Sequence, residues 1–308
     1  MKSQKQMQLV MAAVECLPHA TVVPSPHMDL VRTQALRWAH RFGLDTGGHF
    51  EKTCCWSCAA YALPAAPLEV VDLAAKLIGW MFVFDDVYGE GTDPTEAMEV
   101  FDTCERILRG APAPADNRYL LALSDFRDQC RRLAGESWMD RFATSMRMFF
   151  HGCLFEMTYR QTARTPSPEA YHYLRTLSIG LFPPFDLLDL ACGEISPANL
   201  RLFREVRQTS AVLCAIVNDL YSAGKEEDSL NFVPVLSAGR TLSTALDDIV
   251  DLYTRLLDQQ AAQIAELVDL PELDAAERRV AYSLREWVHG NYAWTKLCAR
   301  YTLPATAA

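Results

Sequence analysis

Apolar residues recur at intervals of three and four along this chain, and that period limits the fold more than any other feature. Leu73, Ala74, Leu77, Ile78, Met81 and Phe84 mark one such face, and Leu246, Ile249, Val250, Tyr253 and Leu257 mark another. Val212, Ala215, Ile216 and Asp219 form a third stripe, with Ala211, Cys214 and Asn218 beside it. Tyr282, Trp287 and Trp294 continue the pattern less regularly near the end. Such spacing is the signature of helices with one buried face, whereas a half-buried strand alternates at two. Alternating polar and β-branched runs are absent. The breaks carry turn chemistry: Leu63-Pro64-Ala65-Ala66-Pro67, Gly91-Thr92-Asp93-Pro94, Gly110-Ala111-Pro112-Ala113-Pro114, Thr165-Pro166-Ser167-Pro168 and Ser196-Pro197. The expected architecture is all-α. It is a single domain of about ten helices over residues 17–308, preceded by a loose extension over residues 1–16.

Composition narrows the partners. Half of the 308 residues are hydrophobic, enough for a sizeable core, and only 14 are Gly. That scarcity disfavours Gly-rich nucleotide folds, and neither G-x-G-x-x-G nor a Walker pattern occurs. A net charge of −10 repels a polyphosphate backbone, so nucleic acid is not an expected partner. The longest apolar run, Leu77 to Phe84, falls far short of the ~20 residues of a membrane span. Lys2 and Lys5 precede a short apolar stretch, but Gln8 and Glu15 interrupt it and no cleavage site follows. Most of the ten cysteines lie singly in apolar stretches. Cys55-Trp56-Ser57-Cys58 has the spacing of a redox or zinc pair without a second pair, which favours reduced, structural thiols and a cytoplasmic setting.

Two stretches go beyond composition. In Phe82-Val83-Phe84-Asp85-Asp86-Val87-Tyr88-Gly89-Glu90, Asp85 follows Met81 by four and so emerges from a stripe that should be buried. Asp86 and Glu90 are also four apart. A desolvated carboxylate needs a cation or several donors, and clustered oxygens without His or Cys suit Mg²⁺. The plainer alternative ends the helix at Phe84 and leaves the acids in a solvated loop. In the second stretch, Asn218, Ser222 and Glu226 are spaced at four and four after a seven-residue apolar run, drifting roughly 40° per step. An amide oxygen, a hydroxyl and a carboxylate on one edge make a three-point site for one Mg²⁺, and Lys225 beside them suits an anion. The alternative is a hydrophilic helix end. Two such half-sites suggest metals gripping a diphosphate, with cationic support from Arg175 and from Arg300-Tyr301.

These residues resemble a known family. Asp85-Asp86-Val87-Tyr88-Gly89-Glu90 looks like the aspartate-rich motif of bacterial class I terpene synthases, and Asn218, Ser222 and Glu226 match their Asn/Ser/Glu metal triad. Pro166 to Tyr171 leads to Arg175, in the position of the family's diphosphate-sensing arginine. Asn231-Phe232-Val233 follows the triad, and Gly290 to Trp294 precedes Arg300-Tyr301 by the family's interval. The likeness runs from about Pro24 to Tyr301. It implies an α-helical terpenoid synthase bundle around an apolar cavity, with three Mg²⁺ ions. Asp85 would bind two of them and Asn218, Ser222 and Glu226 the third, while Arg175, Lys225, Arg300 and Tyr301 grip the diphosphate. Many relatives carry an acid where this chain has Gly89, so the third carboxylate here is Glu90. Arg175 stands alone where many have paired arginines, and Ser178 and Ile179 fill the two positions of the induced-fit relay. The implied reaction is cyclisation of an acyclic prenyl diphosphate, by default the fifteen-carbon one, with ten- and twenty-carbon substrates open. A homodimer is compatible with this.

Ionisation of an allylic diphosphate needs its leaving oxygens stabilised by metals and arginines and its cation by aromatic faces. Phe82 and Trp294 are the candidate pocket lining, with Phe182 and Phe185 behind them; the alternative for each is core packing, the usual place of a hydrophobic aromatic. Asp247-Asp248-Ile249-Val250-Asp251 is a literal D-D-x-x-D, which would suit a chain-elongating prenyltransferase. Its acids fall largely opposite the apolar face of that helix, which favours solvent. A non-catalytic helical binding protein would leave polar groups on two apolar stripes unexplained.

Overall fold

A computed structural model describes residues 4–89, 93–162, 164–223 and 230–298 of the chain. Among them there is no strand. The helices are α1 (Gln4–Cys16), α2 (Met28–Arg41), α3 (His49–Lys52), α4 (Cys55–Ala62), α5 (Leu68–Phe84), α6 (Pro94–Leu108) and α7 (Arg118–Cys130). They continue with α8 (Glu136–Thr162), α9 (Pro168–Ser178), α10 (Phe182–Cys192), α11 (Arg204–Ser222), α12 (Phe232–Ser237), α13 (Leu242–Val268) and α14 (Ala275–Leu297). This is the expected all-α bundle of a single domain, with the long helices supplemented by short ones at corners.

The proline-containing breaks double as start signals. Pro94 and Pro168 occupy the first turn of α6 and α9, where a missing N–H is harmless. Asp93 accepts from the Thr95 N–H at 2.9 Å and Ser167 from the Ala170 N–H at 3.2 Å, capping both helices. Asp274 and Glu277 form a reciprocal capping box at the start of α14.

α5 is the central helix, with 14 of its 17 residues buried, as its nearly unbroken apolar sequence requires. It packs against α4, α2, α7 and α10, while α14 lies across α4 and α11. The α14–α4 approach is possible because residue 290 is Gly: a Cβ there would collide with the Tyr61 carbonyl. α13 presents Leu246, Ile249 and Tyr253 to the core and leaves Asp247, Asp251 and Asp258 exposed. Asp248 is half-buried and pairs with Arg240. The D-D-x-x-D run is therefore a solvated face.

The N-terminal segment differs from expectation. Residues 4–16 form a helix rather than a loose extension, because Val10, Val14 and the following Leu17 bury their side chains in the main core beside α11 and α13. The Tyr292 hydroxyl on α14 donates to the Val14 carbonyl at 3.3 Å. Cys55 and Cys58 are free thiols, both buried. Burial pushes the Cys55 thiol up to about 12 and Cys58 well above its ordinary value, so they behave as small hydrophobes. Among the described residues no helix is long and apolar enough to cross a membrane.

Candidate active site

One cavity is walled by α4, α5, α8, the α9–α10 corner, α11 and α14. Ile78, Met81, Phe149, Leu181, Pro184 and Trp287 give it apolar walls; Asp85, Glu156, Arg160, Arg175, Asn218 and Ser222 supply charge and hydrogen-bonding groups. The α9–α10 corner turns through Gly180, whose φ of +69° is the left-handed region that glycine adopts without strain. A Cβ there would press on Met81 and Phe149, so this glycine also lets the corner approach the wall.

The first half-site grows from the end of α5. The helix does not stop at Phe84. It widens into a π-helical turn over Asp85–Gly89, and the Asp85 carboxylate lines the cavity. The Cys153 thiol on α8 donates toward Asp85 Oδ1 at 3.5 Å, and burial together with the Asp85 charge keeps that thiol protonated. Gly89 lies against the same carboxylate: a Cβ at that position would collide with Asp85 Oδ1. A glycine at this position is thus what lets Asp85 sit where it does. Asp86 goes elsewhere. Its Oδ2 meets Nε2 of the exposed His49, at the start of α3, at 2.6 Å, and it is not part of the cavity wall.

The second half-site is on α11, where Asn218 and Ser222 line the cavity as the i, i+4 spacing requires. Arg175 Nη2 donates to Asn218 Oδ1 at 2.8 Å, its Nε donates to Asp219 Oδ1 at 2.9 Å, and its Nη1 reaches Ser178 Oγ at 3.3 Å. Glu156 Oε1 lies 3.6 Å from Arg175 Nη1, and Glu156 also pairs with Arg160 one turn along α8. Asp219 anchors this assembly. It is 1 % exposed and its Oδ2 accepts from the Tyr171 hydroxyl at 2.7 Å and from the Phe232 N–H at 2.9 Å. Burial raises its pKa above the ordinary carboxylate value, opposed chiefly by the Arg175 charge. Asn231 completes the frame. Its Nδ2 donates to the Asp219 carbonyl at 2.8 Å and to Ser222 Oγ at 3.2 Å, while its Oδ1 caps α12.

The cavity therefore brings together Phe82, Asp85, Arg175, Asn218, Ser222 and Trp294. Phe82 and Trp294 sit with ring centroids 6.0 Å apart, and the Trp294 indole donates to the Cys54 carbonyl at 3.2 Å. Phe182 and Phe185, expected behind them, do not line it. Phe182 packs against Arg207, and Phe185 makes an edge contact with Trp287, because α10 turns those faces into the core. Phe149 and Trp287 line the wall instead. Glu90, Lys225, Glu226, Arg300 and Tyr301 lie outside the described residues. Local spacing gives no site role to Asp219, Glu156 or His49, and it gives Asn231 only as part of a motif. For Asp219 a signal existed, since an acid stood within an apolar stripe.

The donors present suit a hard divalent ion. A carboxylate, an amide oxygen and a hydroxyl face one cavity, all of the oxygen type that Mg²⁺ prefers. The Ser222 hydroxyl gives its hydrogen to the Asp219 carbonyl at 3.4 Å and accepts from Asn231, which leaves an oxygen lone pair for a cation. Among the described residues no three His, Cys, Asp or Glu side chains gather into a metal-holding group; the set draws instead on Asn218 and Ser222.

This architecture is shared with solved proteins. It matches the crystal structure of a-eudesmol synthase with a TM-score of 0.80, at 21 % identity, covering 91 % of this chain and 98 % of that one. The fold is thus that of class I terpenoid synthases. Residues 76–283 match the model of the family described as "Terpene synthase family 2, C-terminal metal binding". Two curated relatives are each 29 % identical. One is the (+)-T-muurolol synthase of Roseiflexus castenholzii, over 90 % of both chains. The other is the pristinol synthase of Streptomyces pristinaespiralis, over 92 % of this chain and 83 % of that protein. The chain belongs to the terpene synthase family and is a lyase acting on a prenyl diphosphate. Family membership implies a Mg²⁺-dependent reaction.

Proposed function

We propose that this enzyme ionises and cyclises farnesyl diphosphate to a sesquiterpene, releasing diphosphate. The observation that carries the proposal is the meeting of Asp85 from α5 with Asn218 and Ser222 from α11 at a cavity that also has an apolar and aromatic wall of Ile78, Met81, Phe82, Phe149, Trp287 and Trp294. The fifteen-carbon substrate is supported by the Roseiflexus relative, which is named as a farnesyl diphosphate-cyclising synthase.

Asp85 would hold two Mg²⁺ ions, with Asp86 and Glu90 as the neighbouring acids of its motif, and Asn218, Ser222 and Glu226 would hold a third. Three ions are expected. When bound, they draw off the negative charge that builds on the leaving oxygens. Arg175, Lys225, Arg300 and Tyr301 bind the diphosphate. The position of Arg175 supports this: a guanidinium 2.8 Å from an oxygen meant for a divalent ion leaves two cations adjacent, and an anion between them relieves the repulsion. Phe82 and Trp294 face the carbocation, stabilising it without offering a nucleophile. The surrounding apolar wall excludes bulk water while the cation rearranges.

Purified protein incubated with geranyl, farnesyl and geranylgeranyl diphosphates, with and without Mg²⁺, tests this by mass spectrometry of the volatiles. The expected result is a cyclic fifteen-carbon product only with the ion, lost in Asp85→Ala and Asn218→Leu at unchanged helix content. A volatile made without a divalent ion, or preferential turnover of another chain length, overturns it. Condensation with isopentenyl diphosphate would point to chain elongation, against which the solvated Asp247 face already stands.

A further inference from the structure

Two polar atoms at the cavity are left unused by that mechanism. Asn291 and Trp287 stand four residues apart on α14, both line the cavity, and they are 8 % and 0 % exposed. Asn291 Oδ1 and Trp287 Nε1 are buried without a hydrogen-bond partner. The T-shaped contact with Phe185, at 5.5 Å between centroids, offers the indole only a π face or edge. Leaving a buried donor or acceptor unmade is costly, so two on neighbouring turns of one helix call for a shared explanation. Their chemistry is complementary: the amide oxygen accepts and the indole N–H donates. A water molecule can satisfy both, giving a hydrogen to Asn291 and taking one from Trp287.

Their position along α14 gives such a water a use. Trp294 contacts Phe82, three residues before Asp85, and so marks the metal side of the cavity. Trp287 lies seven residues back on the same helical face, about 10 Å along the axis. The first cation forms where the diphosphate departs, at a distance from this water. A rearranged cation deeper in the cavity can reach it.

We infer that Asn291 and Trp287 hold a water molecule that captures the last carbocation, so that the product is a terpene alcohol. This rests on the proposed synthase reaction and specifies how it ends. The water oxygen supplies the electron pair of the new C–O bond to the cationic carbon. The resulting oxonium gives up one O–H proton, which solvent takes up, while the diphosphate leaves as the anion, and nothing is oxidised or reduced.

Turnover of farnesyl diphosphate with Mg²⁺ in oxygen-18 water tests the inference. The expected product is an alcohol carrying the label. Trp287→Phe, which keeps the aromatic shape but removes the N–H, and Asn291→Leu are each expected to lower the alcohol-to-hydrocarbon ratio at least about tenfold, the equivalent of one lost hydrogen bond. Purely structural damage would lower both products together and leave the ratio unchanged. A wild-type product that is only hydrocarbon overturns the inference while leaving the synthase reading intact; absence of any turnover overturns that reading. A labelled alcohol whose share survives in whichever variants fold overturns the assignment to these two residues.

Discussion

Two buried clusters of acids and arginines in this protein are satisfied to different degrees. At the cavity, both Asp219 oxygens are bonded, Oδ1 by Arg175 and Oδ2 by the Tyr171 hydroxyl and the Phe232 N–H. On α10, Asp189 pairs with Arg141 and Asp186 with Arg207, the latter at 2.6 Å. Yet Asp186 Oδ2, Asp189 Oδ1 and Arg207 Nε have no hydrogen-bond partner, and Arg141 Nε reaches Asp186 Oδ1 only as an ion pair at 3.5 Å. Both clusters bury charge, and only the first fixes every atom of its central carboxylate. The lesson concerns precision. The guanidinium proposed to bind the diphosphate is held by a carboxylate whose oxygens are both bonded, whereas a cluster tying α8, α10 and α11 together tolerates loose ends.

The sharpest way to break this contrast is to loosen the fully bonded cluster. Asp219→Asn removes the charge that holds Arg175 while nearly preserving shape. Breaking a buried pair costs about 3–5 kcal/mol, so kcat/KM is expected to fall by at least about a hundredfold. Steady-state kinetics checks this, and near-normal activity would mean that Arg175 is positioned by Glu156 and Asn218 alone.

A smaller effect is expected at the second cluster, in stability rather than activity. Burial outweighs the Arg141 charge and pushes Asp189 up to about 7 from an unfolded value of 3.8. The folded state therefore holds an extra proton between about pH 4 and 7, and the contribution of Asp189 to stability declines as pH rises through that window. In Asp189→Asn this decline is absent, so the variant's melting temperature relative to wild type should climb between pH 4 and 7 and level off above. A difference independent of pH would show that Asp189 stays ionised throughout. The smallest effect sharpens the contrast from outside. Asp247 is exposed on α13, and Asp247→Asn should change stability by less than about 0.5 kcal/mol and leave turnover intact. A collapse of activity would reopen the chain-elongating alternative.

Much of this was legible in the sequence. The emergence of Asp85 from the stripe through Met81 is a property of helical spacing, as is the alignment of Asn218 with Ser222. Asp219 was visible as an acid within an apolar stripe, but its partners were not: Tyr171 is 48 residues away and Phe232 lies beyond the following segment. Asp86 is the converse case: adjacent to Asp85 in sequence, its carboxylate meets His49, 37 residues earlier, because neighbouring helical positions point about 100° apart.

By itself, then, the sequence determined the all-helical class, the breaks around Pro94 and Pro168, the solvated side of α13 and the two oxygen-bearing stripes, because each depends on intervals of a few residues. Only the tertiary structure decided that α1 is packed rather than loose, that Arg175 is held by Asp219, that Phe149 and Trp287 line the cavity instead of Phe182 and Phe185, and that two polar atoms on α14 stand unpaired there. Those outcomes depend on which faces of distant helices meet, and that is set by the joint packing of all of them rather than by any local interval.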